Sequence, residues 1–119
     1  MENIYTKIKI YNFDKTKSIK KTLMVDTGFT YSWISGETLE KLDIKPVDEI
    51  GIKTIEGKVM KKKSAEAIFQ YDGKQATRIV VFADKKDVEV IGVDTLEGLQ
   101  LEVDPINRKL KKVKEVFAI

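Results

Sequence analysis

The chain has 119 residues, of which 42% are hydrophobic and 34% charged, and this length and composition indicate one globular domain. It contains no cysteine and no histidine, which excludes disulfides, thiol nucleophiles, serine-histidine catalysis and metal sites built on thiolate or imidazole. The net charge of +3 is a small excess and says little about partners. Any catalysis therefore falls to carboxylates first, with lysine or tyrosine as weaker candidates.

The organisation of the chain is simple. No linker or low-complexity segment divides it, so we expect a single domain over 1–119. No segment has the ~20 consecutive apolar residues that a membrane span needs. We therefore expect no membrane attachment and a cytoplasmic location.

The first half of the chain is predicted to form short strands and one helix. Apolar residues recur at every second position from Ile4 to Ile10, which is the pattern of a strand with one buried face. Strands are predicted over 4–10, 19–25 and 29–34, with a polar turn over 12–18 and a short helix over 35–42. Ser35 is the expected cap of that helix, which must end before Pro46.

The second half is predicted to form two hairpins and a closing set of strands. Asp72-Gly73 is a strong hairpin signal, whereas Glu56-Gly57 is a weaker one that indicates a mobile hairpin. Strands are predicted over 50–52, 59–60, 65–71, 74–83, 88–91 and 99–103, with closing strands over 110–117. Asp94 and Glu97 have the spacing of a capping box and predict a second short helix. The predicted fold class is all-β with one or two short helices.

One motif in the chain can carry chemistry, and it is Val25-Asp26-Thr27-Gly28. Taken alone, an Asp-Thr-Gly triplet is most simply a turn in which the aspartate bonds its own backbone. Here the triplet lies between two predicted strands and lacks the polar flanks of a solvent turn. Further along the chain comes a second apolar segment with a glycine, Val90-Ile91-Gly92.

These two segments, in this order, resemble the retropepsin-like aspartic peptidases, the family of retroviral proteases and their cellular relatives. In that family an apolar strand delivers the Asp-Thr-Gly loop, and a later apolar-apolar-glycine segment opens a helix that packs beneath it. The similarity covers most of the chain, from Leu23 to Leu110. It implies a single-lobed acid protease fold, closed and β-barrel-like, and an endopeptidase that needs no metal or cofactor.

The resemblance also implies roles for five residues. Asp26 is the expected catalytic carboxylate, Thr27 braces two active-site loops across a dimer interface, and Gly28 permits close backbone approach. Ile91 and Gly92 are expected to support the loop from below. Peptide hydrolysis by this route needs two carboxylates that share a proton, and the motif occurs once in this chain. We therefore expect a homodimer with two Asp26 side chains at its twofold axis and an acidic activity optimum.

A polypeptide substrate is expected to bind as an extended strand between the active-site floor and a flap. The expected flap residues are Ile55, Glu56, Gly57 and Lys58. Retroviral relatives carry more glycines there, and Phe29 stands where relatives commonly have a small residue, so the substrate pockets are expected to differ. By the same resemblance, residues 113–119 are expected to interleave with the partner's termini.

Two other functions fit weaker signals. An inactive retropepsin-fold interaction module would keep the dimer without the chemistry, because fold does not fix function. A nucleic-acid-binding β-domain would use the basic runs over 61–63 and 108–114, but acidic residues balance the total charge and we do not expect nucleic acid as a partner. Asp84, Asp87 and Glu89 are interpreted as a charged loop in preference to a cation site.

Overall fold

A computed structural model describes residues 3–119, which form short strands and two short helices. The elements are β1 (Ile4–Tyr11), β2 (Ser18–Val25), β3 (Ser32–Ser35), α1 (Gly36–Lys41), β4 (Asp48–Lys53), β5 (Val59–Tyr71), β6 (Lys74–Ala83), β7 (Val90–Ile91), α2 (Val93–Gly98), β8 (Leu101–Asp104) and β9 (Lys109–Lys112). The predicted all-β class with short helices is confirmed. Neither helix in this part of the chain is long and apolar enough to cross a membrane.

The main sheet closes into a ring. Its strand order is β1-β2-β7-β3-β6-β5-β4, and β1 pairs with β5 as well as with β2. That additional antiparallel pairing, from Lys9 opposite Gln70 to Tyr11 opposite Ile68, joins the two ends of a six-strand set. β4 extends beyond the ring as the partner of β5, and β8 and β9 form a separate two-stranded sheet. The expected closed arrangement is therefore present as a ring-like sheet.

Both predicted hairpins form. Asp72 and Gly73 have φ angles of +49° and +83°, the left-handed values that both central residues of a type I′ turn require. The strands predicted on either side of Lys63 are one continuous strand, β5, which runs for 13 residues. Its first half pairs with β4 and its second half with β6, so the β4–β5 hairpin projects beyond the strands of the ring.

Two clusters of buried apolar side chains hold these elements together. The larger cluster fills the ring and is covered by leucines of both helices and the residues after them, namely Leu39, Leu42, Leu96 and Leu99. Each such leucine contributes about 1.5–3 kcal/mol when fully buried. The smaller cluster contains Trp33, Val81, Ala83 and Val90, against which Met24, Phe29, Tyr31, Ile50 and Ile52 pack. This second cluster joins the segment after Asp26 to the β4–β5 hairpin, so it positions both.

The predicted capping box at the second helix is wrong. The N-cap of α2 is Gly92, which makes no side-chain hydrogen bond, and Asp94 lies in the first turn. The free N–H groups at this end of the helix are satisfied by the loop after Asp26, because the N–H of Asp94 donates to the carbonyl of Thr30 at 2.8 Å. Backbone carbonyls thus replace the side-chain cap that the local sequence suggested.

Two predicted strands are shorter than expected. Residues 29–31 precede β3 and form a loop whose carbonyls face α2. Residues 113–119 follow β9 without entering a sheet, although the N–H of Val113 donates to the carbonyl of Gln100 at 2.8 Å. The apolar residues Val116, Phe117 and Ile119 of this tail therefore stay exposed in the single chain.

Candidate active site

Asp26 follows the last residue of β2, where the chain leaves the sheet. Its N–H donates to the carbonyl of Ile91 at 3.0 Å, which extends the parallel pairing of β2 with β7 by one bond. Its carbonyl accepts the N–H of Phe29 at 3.2 Å, and its side-chain Oδ1 accepts the N–H of Gly28 at 2.9 Å. The carboxylate is half-buried and is held in one orientation by its own loop.

The two residues after Asp26 stay on the surface of the loop. Thr27 and Gly28 are both exposed. A Cβ atom added to Gly28 would lie 3.1 Å from Oδ1 of Asp26, closer than nearly all real Cβ contacts. A side chain at this position would therefore crowd the carboxylate, and glycine leaves its outer side open to a reactant.

Gly92 lies directly beneath this loop. A Cβ atom added to it would lie 2.5 Å from the carbonyl oxygen of Tyr31 and 2.7 Å from that of Phe29, distances that real Cβ atoms do not show. The next residue, Val93, donates its N–H to the same Phe29 carbonyl at 2.9 Å. The loop after Asp26 and the start of α2 are thus in backbone contact, which only glycine permits at this position.

A buried pair of hydroxyl groups, which was not predicted from the sequence, completes the support. The Oγ of Ser32 and the Oγ1 of Thr95 are 2.5 Å apart, and neither residue is exposed to solvent. Ser32 Oγ also accepts the N–H of Gly92 at 3.1 Å. The available signal was a serine inside an otherwise apolar strand, because a polar side chain in such a place needs a hydrogen-bonding partner.

A cleft of about 630 Å³ opens beside the loop. One end of its wall is formed by Gly28 and Phe29, and Trp33 contributes to the floor with its ring edge-on to that of Phe29, 5.6 Å between centroids. The remaining lining residues are Thr30, Tyr31, Ile50, Gly51, Ile52, Lys53, Thr54, Ile55, Met60, Lys86, Asp87 and Val88. Eight of the fifteen lining residues are apolar or aromatic, so the cleft suits an extended segment with apolar side chains.

One hydrogen bond connects the Asp26 carboxylate to the lining of the cleft, because Gly28 lines the cleft and donates its N–H to Oδ1 of Asp26. The structure therefore brings together Asp26, Gly28, Ile91 and Gly92, of which Gly28 lines the cleft, with Thr27 exposed on the same loop.

The β4–β5 hairpin forms the opposite side of the cleft, but the strand β4 contributes more than the predicted flap tip. Of the four predicted flap residues, Ile55 lines the cleft and is fully exposed, whereas Glu56, Gly57 and Lys58 lie outside the wall. The turn itself is tight, since the N–H of Thr54 donates to the carbonyl of Lys58 at 2.8 Å. The contribution of β4 to the cleft was not predicted, because glycine and turn residues mark the tip of a hairpin and not the face that lines a cleft.

The acidic residues of the 84–89 loop are paired with lysines. Asp84 and Asp87 each accept a hydrogen bond from Nζ of Lys62, at 2.7 and 2.6 Å, and Glu89 accepts one from Lys21 at 2.6 Å. No three acidic side chains within residues 3–119 converge on a position for a metal ion. These pairs agree with the interpretation of the segment as a charged loop.

Both basic runs are partly neutralised within the protein. In the first run, the side chain of Lys62 is 12% exposed and is paired with Asp84 and Asp87. In the second run, Lys112 lies 2.9 Å from Asp72 and Lys111 lies 3.4 Å from Glu102. The hydrogen bond from Lys112 lowers the pKa of the Asp72 carboxyl. Less free positive charge therefore remains on these strands than the sequence count suggested.

The sequence matches no protein-family model, and it matches no curated protein. The fold, however, is similar to the solution structure of the protease of simian foamy virus (mac), with a TM-score of 0.52. The two chains are 18% identical, and the similarity covers 77% of this chain and 92% of the viral one. At this level of identity the likeness concerns the fold, and it identifies that fold as similar to a retroviral protease.

Proposed function

We propose that the protein is an aspartic endopeptidase that acts as a homodimer on extended or unfolded polypeptide. The observation that supports this most directly is the orientation of the Asp26 carboxylate by the N–H of Gly28, a residue that lines the cleft. The similarity of the fold to a retroviral protease makes peptide hydrolysis the reaction that best fits this geometry.

The chemistry needs a second carboxylate. One carboxylate must take a proton from the attacking water while the other gives a proton to the substrate carbonyl, and two such groups about 3 Å apart share one proton. Among the residues that line the cleft, the acidic one is Asp87, which Lys62 already binds. The second carboxylate is therefore Asp26 of another copy, across a twofold axis.

The C-terminal tail supports the proposal of a dimer. Three of its apolar side chains, Val116, Phe117 and Ile119, are exposed. Contiguous apolar residues on a protein surface mark a place where another molecule packs. A second copy that covers these residues, and that meets Thr27 on the exposed loop, would build an isologous interface around the two Asp26 side chains.

Each step of hydrolysis then has a named group. The substrate lies extended in the cleft between the loop at Phe29 and the β4 arm at Ile50 and Ile52. The ionised Asp26 takes a proton from water, the oxygen of that water forms a bond to the scissile carbonyl carbon, and the protonated Asp26 of the other copy donates to the carbonyl oxygen. Collapse of this intermediate breaks the C–N bond, and the amine leaves with a proton from the pair.

The test is cleavage of denatured casein and of a peptide library between pH 3 and 7, with Asp26→Asn compared to wild type at matched dimer content. Asp43→Asn is the matched control, because Asp43 is an exposed carboxylate whose partner is Lys17 on the surface. Activity that peaks in acid and is lost only in Asp26→Asn supports the proposal. Intact dimers without activity in the wild type would instead favour an interaction module.

A mixing experiment tests the shared site. When equal amounts of wild-type and Asp26→Asn chains exchange freely, about a quarter of the dimers carry two intact carboxylates. The proposal predicts that the mixture has about a quarter of the activity of wild type at the same total protein concentration. Retention of about half of the activity would show that each chain works with its own carboxylate, which would contradict the shared site.

A further inference from the structure

Lys62 is a half-buried cation that the proposed reaction does not use. Its side chain is 12% exposed, whereas lysines are almost always solvated. In the register of the hairpin it lies opposite Ile50, two residues from Met60, and both of these line the cleft. The neighbouring Lys61 alternates to the exposed face of the strand. The burial of the Lys62 ammonium group therefore requires specific partners.

The partners of Lys62 come from the 84–89 loop, whose residues Asp87 and Val88 line the cleft. Lys62 Nζ donates to Oδ2 of Asp84 at 2.7 Å and to Oδ2 of Asp87 at 2.6 Å. The same oxygen of Asp87 accepts the N–H of Asp84 at 2.8 Å, and the N–H of Asp87 donates to the carbonyl of Asp84 at 3.0 Å. The loop is thus folded around one ammonium group, with each short bond assisted by charge.

The pKa shifts of the two partners favour the ion pair. Burial raises the pKa of Asp87, but the hydrogen bonds from Lys62 and from the N–H of Asp84 lower it by more, so the net pKa is below the ordinary 3.8. The hydrogen bonds to the two aspartates raise the pKa of Lys62. Both shifts favour the charged forms, the carboxylate of Asp87 and the ammonium group of Lys62.

Lys62 connects three parts of the cleft. Asp87 and the adjacent Val88 belong to one wall, and the strand that carries Lys62 belongs to the opposite hairpin. The Nζ atom also lies 5.7 Å from the ring centroid of Trp33, which lines the floor and attracts a cation. The Lys62 side chain thus links the hairpin that carries it to the 84–89 loop and to Trp33.

We propose that Lys62 is a positioning residue that holds the 84–89 loop against the β4–β5 hairpin and so sets the width of the cleft. Without the ammonium group, the loop loses its two charge-assisted bonds to the strand and its two carboxylates lose the cation between them, so the loop is freed to move away from the hairpin. The effect on substrate rests on the proposed function, whereas the effect on the cleft itself does not.

The first experiment needs no activity. Trp33 is the single tryptophan of the chain, so its fluorescence reports on the floor of the cleft. Lys62→Met keeps the aliphatic stem and removes the charge, and it is expected to raise the acrylamide quenching constant of Trp33 by roughly twofold, because the loop exposes the ring. Lys61→Met, an exposed neighbour opposite Gly51, is the control and leaves quenching unchanged.

Two further variants secure the result. Lys62→Arg keeps a cation within reach of both carboxylates and is expected to restore most of the protection. Asp87→Asn breaks the same contact from the loop side, so it serves where Lys62→Met does not fold, and it should raise quenching in the same direction. Wild-type quenching in a folded Lys62→Met or Asp87→Asn protein would overturn the proposal.

The second experiment measures cleavage of one apolar peptide by the same variants. Lys62→Met is expected to raise KM about threefold to tenfold while kcat changes by less than about twofold, because the cleft holds substrate less well and Asp26 is untouched. Lys62→Arg should recover most of the wild-type KM. An unchanged KM despite increased quenching would overturn the role in substrate binding. A wild type that cleaves nothing refutes the proposed function alone, because the quenching result stands independently.

Discussion

Replacement of Gly92 by alanine is the sharpest test of how the candidate site is built. The added Cβ would lie 2.5 Å from the Tyr31 carbonyl oxygen, 2.7 Å from the carbonyl carbon of the same residue and 2.7 Å from the Phe29 carbonyl oxygen. All three are backbone atoms, so no side chain can rotate away. Reaching the ordinary contact distance of 3.4 Å from 2.5 Å requires a displacement of 0.9 Å between loop and helix.

The expected cost can be worked out from this geometry. The φ angle of Gly92 is −94°, which any residue adopts, so the penalty is steric and not conformational. Overpacking of this kind costs about 1–3 kcal/mol, and weakening the bond from Val93 to the Phe29 carbonyl adds about 1 kcal/mol. The free energy of unfolding should therefore fall by about 2–4 kcal/mol, which lowers Tm by roughly 6–24 °C.

The assay is thermal and urea unfolding at fixed protein concentration, since the proposed dimerisation would make Tm depend on concentration. Gly51→Ala is the matched control, because a Cβ at Gly51 meets nothing within 4 Å. Its stability should stay within about 1 kcal/mol of wild type. If Gly92→Ala were as stable as Gly51→Ala, the close packing of the loop on α2 would not support the site, and the reasoning would be refuted.

Three further changes have expected outcomes. Ser32→Ala leaves the buried Thr95 hydroxyl without its partner and should lower the free energy of unfolding by about 1–3 kcal/mol, measured by urea unfolding. The pKa of Asp87 in the folded protein is lower than its ordinary value of 3.8. Its ion pair with Lys62 therefore stabilises the fold fully above pH 3.8, and this contribution is lost as pH falls through the lower pKa of the folded state. The Tm difference between wild type and Lys62→Met should therefore shrink below about pH 4, and a constant difference would contradict this. Removal of 114–119, which are exposed, should keep the circular dichroism spectrum but lose the dimer in sedimentation and the peptidase activity.

Local signals predicted a large part of the fold. Alternation marked β1, the Asp72-Gly73 pair marked its hairpin, and Ser35 marked α1, whose Thr38 N–H it accepts at 3.1 Å. These signals succeed because strand alternation, turn chemistry and side-chain capping act between residues a few positions apart. The same holds for the motif at Asp26, whose hydrogen bond to Gly28 spans two residues.

The failures have a common physical cause. The capping box at Asp94 was predicted from neighbouring residues, but the loop carbonyl of Thr30 occupies the helix end instead. The flap was placed at the turn, whereas most of the hairpin's contribution to the cleft comes from β4. In both cases a partner distant in sequence overrides the local preference, as tertiary contacts commonly do.

The sequence by itself excluded cysteine and histidine chemistry, and it determined that short strands dominate and that one Asp-Thr-Gly loop follows an apolar strand. Only the tertiary structure decided that β1 meets β5 to close the ring and that Ser32 bonds Thr95 across 63 residues. Only the structure placed Lys62 within hydrogen-bonding distance of Asp84 and Asp87. The reason is that such contacts depend on how separate elements pack, and no spacing within a single segment encodes the identity of a partner on another strand.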